Sequence, residues 1–388
     1  MGRVVRMKSK KPTGKLSKSD KLKLLNKIAG DNVAFDLSDS NPTEVTEFIP
    51  TGSRWLDSII KRGELAGIPV GKVTEIAGLE STGKSFLACQ LAANAQKMGK
   101  DVFYFDSESA LDPSFLERAG CILGDVEDGI GDFTYIQAKN VEFVLESIES
   151  VISAGVEGAL FIWDSIALTP TVSDMETDMN PQRGIAMKAR ILAKALSKLV
   201  QPISNSNSTL VCLNQLKTNI AASTPAVALT TPYVTPGGKA LCYAYSLRIW
   251  LTGRKAKASF VYDDRGYRIG SEVKVKLEKS RFGTQGRTCN FKILWGESIG
   301  VQDEESWFDA IKSSHHLNNS GAWFSLAMPD GSQKKFQKKN WVSLVTEDEA
   351  FKSRVIELME EEVILKFDKR LGDASNYYDT EGGDDKVT

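Results

Sequence analysis

Histidine is nearly absent: His315 and His316 are the only two in 388 residues. Sequence neighbours cannot face one metal ion from a regular element, which argues against a zinc centre or a histidine-based catalytic triad. Cysteine is also sparse. The five cysteines, Cys89, Cys121, Cys212, Cys242 and Cys289, are odd in number, widely spaced and without a C-x-x-C pair. That pattern fits buried thiols in a reducing compartment, not a disulfide framework. No apolar run is long enough to span a bilayer, and the N-terminus lacks the apolar core of a secretory signal. Arg6 stands where a myristoylation start would need Ser or Thr. The expectation is an intracellular, cytoplasmic chain with no membrane anchor.

Net charge is only -1, but its distribution is lopsided. Residues 1–30 carry Arg3, Arg6, Lys8, Lys10, Lys11, Lys15, Lys18, Lys21, Lys23 and Lys27 against the single acid Asp20. The far end reverses the sign, with Asp373, Asp379, Glu381, Asp384 and Asp385 opposed by Lys386. A basic arm and an acidic tail suggest a polyanion partner or head-to-tail contact between copies; solvated ends are the plainer alternative.

What the chain does possess is Gly78-Leu79-Glu80-Ser81-Thr82-Gly83-Lys84-Ser85, preceded by an apolar run, Val73 to Ala77, and followed by a helical pattern from Phe86. In the order strand, glycine loop, helix, this G-x-x-x-x-G-K-S motif is a phosphate cradle. The glycines permit a tight loop whose N–H groups point inward, and the helix adds its positive end. Lys84 would reach the β and γ phosphates of the nucleotide, and Ser85 would hold Mg²⁺.

Taken in order, the chain predicts a short helix at Ser17 to Ala29, capped by Ser17 or Ser19, with a stripe of Leu22, Leu24, Leu25 and Ile28. Val33 to Leu37 is a brief strand candidate, and a polar linker follows to about Glu47. Such a segment buries little surface alone and must dock on a neighbouring subunit or on its own core. From Ile49 strands and helices alternate, the pattern of a mostly parallel α/β sheet. Strands are expected at Val73 to Ala77, Val102 to Asp106, Phe133 to Gln137, Ala159 to Asp164 and Thr209 to Asn214. Helices are expected at about 84–98, 113–120, 140–154 and 184–204. Beyond Tyr243, β segments at Ser246 to Thr252, Ser259 to Tyr262, Val273 to Lys279 and Arg287 to Leu294 would extend the sheet in antiparallel fashion. From about Ile299 a small α+β module follows, with helices at Asp303 to Ser313 and Glu347 to Lys369 and a hairpin-like turn at Pro329-Asp330-Gly331. It carries the run Lys334, Lys335, Lys338 and Lys339.

In open parallel sheets ligands sit at the carboxyl ends of strands, so the acids there are candidates. Asp164, ending Phe161-Ile162-Trp163-Asp164, would orient the Mg²⁺ shell beside Ser85. Glu108 would polarise the water that attacks the γ phosphate; Asp106 is the alternative, and both could instead cap the helix that Asp112-Pro113 begins. Asn214 and Gln215 place neutral amides at the same rim, able to sense a γ phosphate. Two long segments beside them, Thr171 to Gly184 and Leu216 to Gly238, are rich in loop residues. Arg183, Lys188, Arg190 and Lys217 are available there for nucleic-acid phosphates.

These residues resemble the RecA family of recombinases. The loop Gly78 to Ser85, the run Phe105 to Pro113, Asp164-Ser165 with Leu168-Thr169-Pro170, Asn214-Gln215, and Gly237-Gly238-Lys239-Ala240-Leu241 occur in that family's order. Thr51-Gly52-Ser53, Leu56-Asp57 and Ile293-Leu294-Trp295-Gly296-Glu297 are also similar to it. The basic arm and the run Glu278-Lys279-Ser280-Arg281 look most like phage-type members. The resemblance implies an ATPase core fold, ATP and Mg²⁺ as cofactors, and a filament on single-stranded DNA that pairs it with a homologous duplex and exchanges strands. It implies that Glu108 activates water, that Asp164 and Ser85 hold Mg²⁺, and that Gln215 couples the γ phosphate to the second DNA loop. Gly78, Glu80, Ser81, Thr82, Gly83, Lys84, Ser85 and Phe86 would surround the nucleotide, with Asp112 at the adenine and Phe115 stacked on it. Arg183, Ile185, Arg190, Lys217, Ile220, Gly237 and Gly238 would face DNA, Ile220 as a wedge between bases. A neighbouring subunit's cation, Lys279 or Arg281, would complete the ATP site; the family's Lys-x-Lys is kept only at Lys279, its other position being Leu277.

The organisation so implied is a basic oligomerisation arm at 1–48, an ATPase core at 49–298 with DNA loops at about 171–184 and 216–238, an α+β domain at 299–372 and an acidic tail at 373–388. Single-strand-binding and mediator proteins are further expected partners. A ring-forming helicase or motor and a non-catalytic paralogue are the alternatives on the same fold. The intact Lys84, Glu108 and Asp164 speak against the latter, and the absence of a motor module against the former.

Overall fold

The computed structural model describes residues 16–30, 33–39, 41–176, 184–220, 232–253, 259–296 and 299–364. The basic residues before Leu16, Arg183 and the acidic tail from Asp373 lie outside the described residues, as do the centres of both long loops. The chain divides between Thr46 and Glu47 into two compact units.

In the first unit α1 spans Lys18–Ala29, with Ser17 as N-cap accepting from the Asp20 amide and Gly30 closing it in the left-handed region at φ 70°. None of its residues is buried. The strand expected at Val33 to Leu37 does not form. Asn26 Oδ1 accepts instead from the amides of Val33 and Ala34, at 3.0 and 2.7 Å, which holds the segment as a turn against the helix.

The second unit begins with a two-strand ladder, β1 (Phe48–Ile49) and β2 (Ile68–Pro69), around α2 (Arg54–Ile60). Then come β3 (Val73–Gly78), α3 (Lys84–Lys97), β4 (Val102–Asp106), α4 (Pro113–Arg118) and β5 (Phe133–Gln137). They are followed by α5 (Val141–Ser153), β6 (Leu160–Asp164), α6 (Val172–Glu176), α7 (Gly184–Asn205) and β7 (Thr209–Gln215). Strands β3, β4, β6 and β7 are almost wholly buried, as parallel strands with helices on both faces must be. Helix α5 illustrates the local logic. Asn140 caps it through the Phe143 amide at 2.8 Å, and Val141, Val144, Leu145 and Ile148 turn one stripe inward.

A short ladder of β8 (Lys217–Thr218) and β9 (Tyr233–Val234) closes the base of the second long loop. Helix α8 (Lys239–Ala244) leads to β10 (Leu247–Gly253), β11 (Phe260–Tyr262), β12 (Arg268–Ser280), β13 (Thr288–Trp295) and β14 (Ile299–Gln302). Across the large sheet the order is β14, β13, β12, β10, β3, β7, β6, β4, β5, with β11 on β12. The extension is antiparallel from β12 onward, but β10 itself lies parallel to β3. It can do so because α8 and the preceding loop return the chain to the sheet's starting edge, as a parallel crossover requires.

One apolar layer, between the sheet and α2 and α3, contains Ile76, Leu87, Leu91, Ile162, Leu213 and Leu277. It runs on into the small module of α9 (Glu304–Ile311), β15 (Leu317–Ser320), β16 (Trp323–Ala327), β17 (Gln333–Gln337), α10 (Trp341–Glu347) and α11 (Glu349–Glu362), through Trp307, Phe336, Trp341 and Phe351. The opposite layer packs α5 and α7 on Phe105, Phe161, Trp163 and Cys212. The helix expected from Glu347 begins at Glu349, because the Asp348 carboxylate caps its start through the Phe351 amide at 3.0 Å, and the short helix α10 precedes it. No described helix is long and apolar enough to cross a membrane.

Candidate nucleotide site and the strand ends beside it

The glycine loop leaves β3 and opens α3 as expected. A Cβ on Gly78 would lie 2.4 Å from Thr82 Oγ1, and one on Gly83 2.4 Å from Ile293 Cδ1, so a side chain at either place would displace a neighbour. Gly83 also adopts φ 81°. Thr82 Oγ1 and Lys84 Nζ both donate to the Leu79 carbonyl, at 2.8 and 3.1 Å, which curls the loop over its own centre. Burial lowers the Lys84 pKa, opposed by the charges of Asp164, Glu108 and Glu80. These donors and the first amides of α3 suit a polyphosphate.

Asp164, at the end of β6, accepts from Tyr104 Oη at 2.9 Å and from the Ser85 hydroxyl. Burial raises its pKa, and those two hydrogen bonds oppose the rise. Among the described residues no group of three or more His, Cys, Asp or Glu side chains could hold a metal by itself. Ser85 and Asp164 suit Mg²⁺, which ordinarily takes one or two protein oxygens together with phosphate and water.

Asp106 and Glu108 separate clearly. Asp106 is buried and accepts from the amides of Glu108, Ser109 and Leu111 and from Tyr135 Oη. Four donors occupy it, so it shapes the turn. Glu108 is exposed and accepts from Ser165 Oγ at 3.2 Å; the Asp164–Ser165 peptide is cis. Asp112 caps α4 through the Ser114 amide and hydroxyl, at 3.1 and 2.7 Å, and those bonds lower its pKa. Neither Asp106 nor Glu108 caps that helix. Phe115 meets Phe86 edge-on, ring centres 5.5 Å apart.

Asn214 and Gln215 end β7 as expected. The Gln215 amide donates to Asn214 Oδ1 at 3.0 Å, and the Leu216 amide to the Gly78 carbonyl at 3.0 Å, so the amide rim is wired to the glycine loop. In the loops, Thr171 to Gly184 begins with α6, and Lys217 and Ile220 project beside the β8–β9 ladder, Ile220 with 96% of its surface exposed. Arg190 and Lys217 are exposed. Lys188 is not available for phosphates: its Nζ donates to the carbonyls of Ala167 and Thr169, at 3.1 and 2.7 Å. Gly237 and Gly238 have φ 104° and 83°, and a Cβ on Gly237 would strike Leu241 at 2.2 Å. They make the turn into α8. The Ile185 side chain lies outside the described residues. Lys279 Nζ donates to the carbonyl of Cys242 at 2.5 Å, and Arg281 to that of Tyr243 at 2.7 Å, so both cations are gathered at the end of α8.

Sequence reasoning overlooked Tyr104 and Ser165, which hold the two acids, and the setting of Arg268. Its guanidinium lies 3.8 Å from the Phe260 ring centre and 5.2 Å from that of Trp295. Phe260 and Arg268 line a cavity of about 360 Å³ against Leu79, Glu80, Ser81 and Thr82. A larger cavity, about 430 Å³, lies against Trp55, Lys274 and Asp309 and includes none of the loop.

A sheet flanked on both faces, a glycine loop opening a helix, and a serine hydroxyl bonded to the acid of a nearby strand define a P-loop nucleotide-binding protein. The RecA N-terminal domain model matches residues 17–300. Protein RecA of Mannheimia haemolytica is 32% identical over 319 residues, 82% of this chain and 80% of the relative. Protein RecA of Chlorobaculum tepidum is 31% identical over 335 residues, covering 86% and 89%, and that of Bifidobacterium breve 31% over 314 residues, covering 81% and 74%. The chain belongs to the RecA family of recombination proteins.

Proposed function

We propose that this chain is a DNA-dependent ATPase that polymerises on single-stranded DNA and uses ATP and Mg²⁺ to pair that strand with a homologous duplex and exchange strands. The carrying observation is the division of the acids: Asp106 is saturated by its own turn, while Glu108 stands exposed beside Ser165 and the Mg²⁺ pair, Ser85 and Asp164. Lys84 and the loop from Gly78 to Phe86 hold the phosphates, and Phe115 with Asp112 borders the base. Gln215 passes the state of the γ phosphate to the segment 216–238, where Lys217 takes backbone phosphates and Ile220 wedges between bases. Arg183, Ile185 and Arg190 complete the DNA surface, with Gly237 and Gly238 setting its turn.

Lys279 or Arg281 serves the neighbouring subunit's γ phosphate, and residues 1–48 form the arm that docks on that neighbour. The exposed Leu24, Leu25 and Ile28 of α1 support this reading. Residues 49–298 are the ATPase core, 299–372 the C-terminal domain and 373–388 an acidic tail that competes with DNA for basic surfaces. The phage-type character rests on the arm and the run Glu278 to Arg281; single-strand-binding and mediator proteins are natural partners. Electron microscopy with ATP and single-stranded DNA tests the assembly: helical filaments are expected, and closed rings would indicate a motor.

A further inference from the structure

One buried polar network on the α7 side of the sheet has no place in the phosphate chemistry. Glu75 of β3 and Arg248 of β10 are register partners on parallel strands, exposed by 0% and 8%. Arg248 Nε donates to Glu75 Oε2 at 2.6 Å. The other carboxylate oxygen, Oε1, accepts from Asn214 Nδ2 at 3.0 Å, and the same amide nitrogen donates to the Pro236 carbonyl at 3.0 Å. Arg248 Nη2 continues to Thr235 Oγ1 at 3.0 Å, and its guanidinium lies 5.6 Å from the Trp250 ring centre.

Stability alone does not account for this arrangement, since a buried ion pair is commonly matched by well-packed apolar residues. Its geometry offers another reason. Asn214 precedes Gln215 on the outgoing limb of the segment 216–238, and Thr235 and Pro236 belong to the returning limb. Both limbs are therefore fastened to one ion pair. Asn214 has little freedom of its own, because both N–H bonds of its amide are engaged and its oxygen accepts from the Gln215 amide.

We propose that Glu75 and Arg248 are positioning residues that clamp the two limbs together, so that a shift of Gln215 at the γ phosphate reaches the returning limb and sets affinity for DNA. The proposal rests on the DNA-dependent ATPase reading above. Thr235→Val removes one hydrogen bond of the clamp while keeping side-chain shape and burying no charge. It is expected to raise the single-stranded DNA concentration for half-maximal ATPase stimulation about fivefold, with the plateau rate as in wild type. Thr235→Ser, which keeps the hydroxyl, should restore the wild-type titration. Glu75→Gln, which leaves Arg248 without its counter-charge, should shift the titration further; if it does not fold, the Thr235 pair decides. A Thr235→Val titration superposed on wild type would overturn the clamp and leave the ATPase reading standing. A wild-type ATPase indifferent to DNA would overturn both.

Discussion

The main-chain N–H of Glu108 donates to Asp106 Oδ1 at 2.8 Å, and the contact gives two neighbouring carboxylates different roles. Asp106 builds the turn that presents Glu108, which is exposed; on the proposed function it is Glu108 that reaches the water. Glu108→Gln should therefore keep ATP and DNA binding while slowing hydrolysis about 10²- to 10⁴-fold. Asp106→Asn should chiefly lower thermal stability, through poorer acceptance of three amides. Steady-state turnover with melting curves separates them, and wild-type turnover in Glu108→Gln would move the base elsewhere.

Lys84 is the cation bonded inside the loop, to the Leu79 carbonyl. Lys84→Ala should reduce turnover about 10²-fold or more by removing charge stabilisation at the transferred phosphate. A phosphate-release assay at saturating ATP checks it, and an unchanged rate would remove the loop from the chemistry.

Stability should fall with pH on the side of α2. Burial raises the Asp57 pKa from 3.8 to about 7, against hydrogen bonds from Thr51, with the Asp303 charge adding to the rise. A carboxyl with a raised folded pKa holds its proton more tightly in the native state. Its contribution is complete below about pH 4 and is lost as pH rises through about 7. Asp57→Asn should flatten that decline and stabilise the protein at pH 8, by on the order of 1–4 kcal/mol. Urea titrations at pH 5 and pH 8 read this directly, and an equal slope in variant and wild type would contradict it.

Helix α1 buries none of its residues, and Ile28 is 74% exposed. Deleting residues 1–45 should leave monomers in sedimentation velocity with ATP. Persistent filaments would refute the docking arm.

Much of the core was legible because its signals are local. The loop needs two glycines at fixed spacing, and the run Leu160 to Trp163 is apolar throughout because helices cover both sheet faces. The failures were non-local or turned on one competing bond. Val33 to Leu37 carries strand residues, yet the Asn26 side chain claims its amides. The parallel seat of β10 depends on where α8 returns the chain, which no window of sequence encodes. Lys188 has the charge and loop position of a phosphate contact, but its three-dimensional neighbours are two carbonyls. The sequence already favours Glu108 over Asp106, and the donors around Asp106 support that preference. One signal was present and passed over: Glu75 is a charge inside an otherwise buried strand, and buried charges demand partners.

On the proposed function, ATP hydrolysis is tied to DNA through the segment that follows Gln215. The direct test is the rate of phosphate release by the full chain at saturating ATP and Mg²⁺, with and without single-stranded DNA. Turnover that is slow alone and rises about tenfold or more with DNA, at salt-sensitive DNA concentrations, is the predicted result. A rate independent of single-stranded DNA would contradict it.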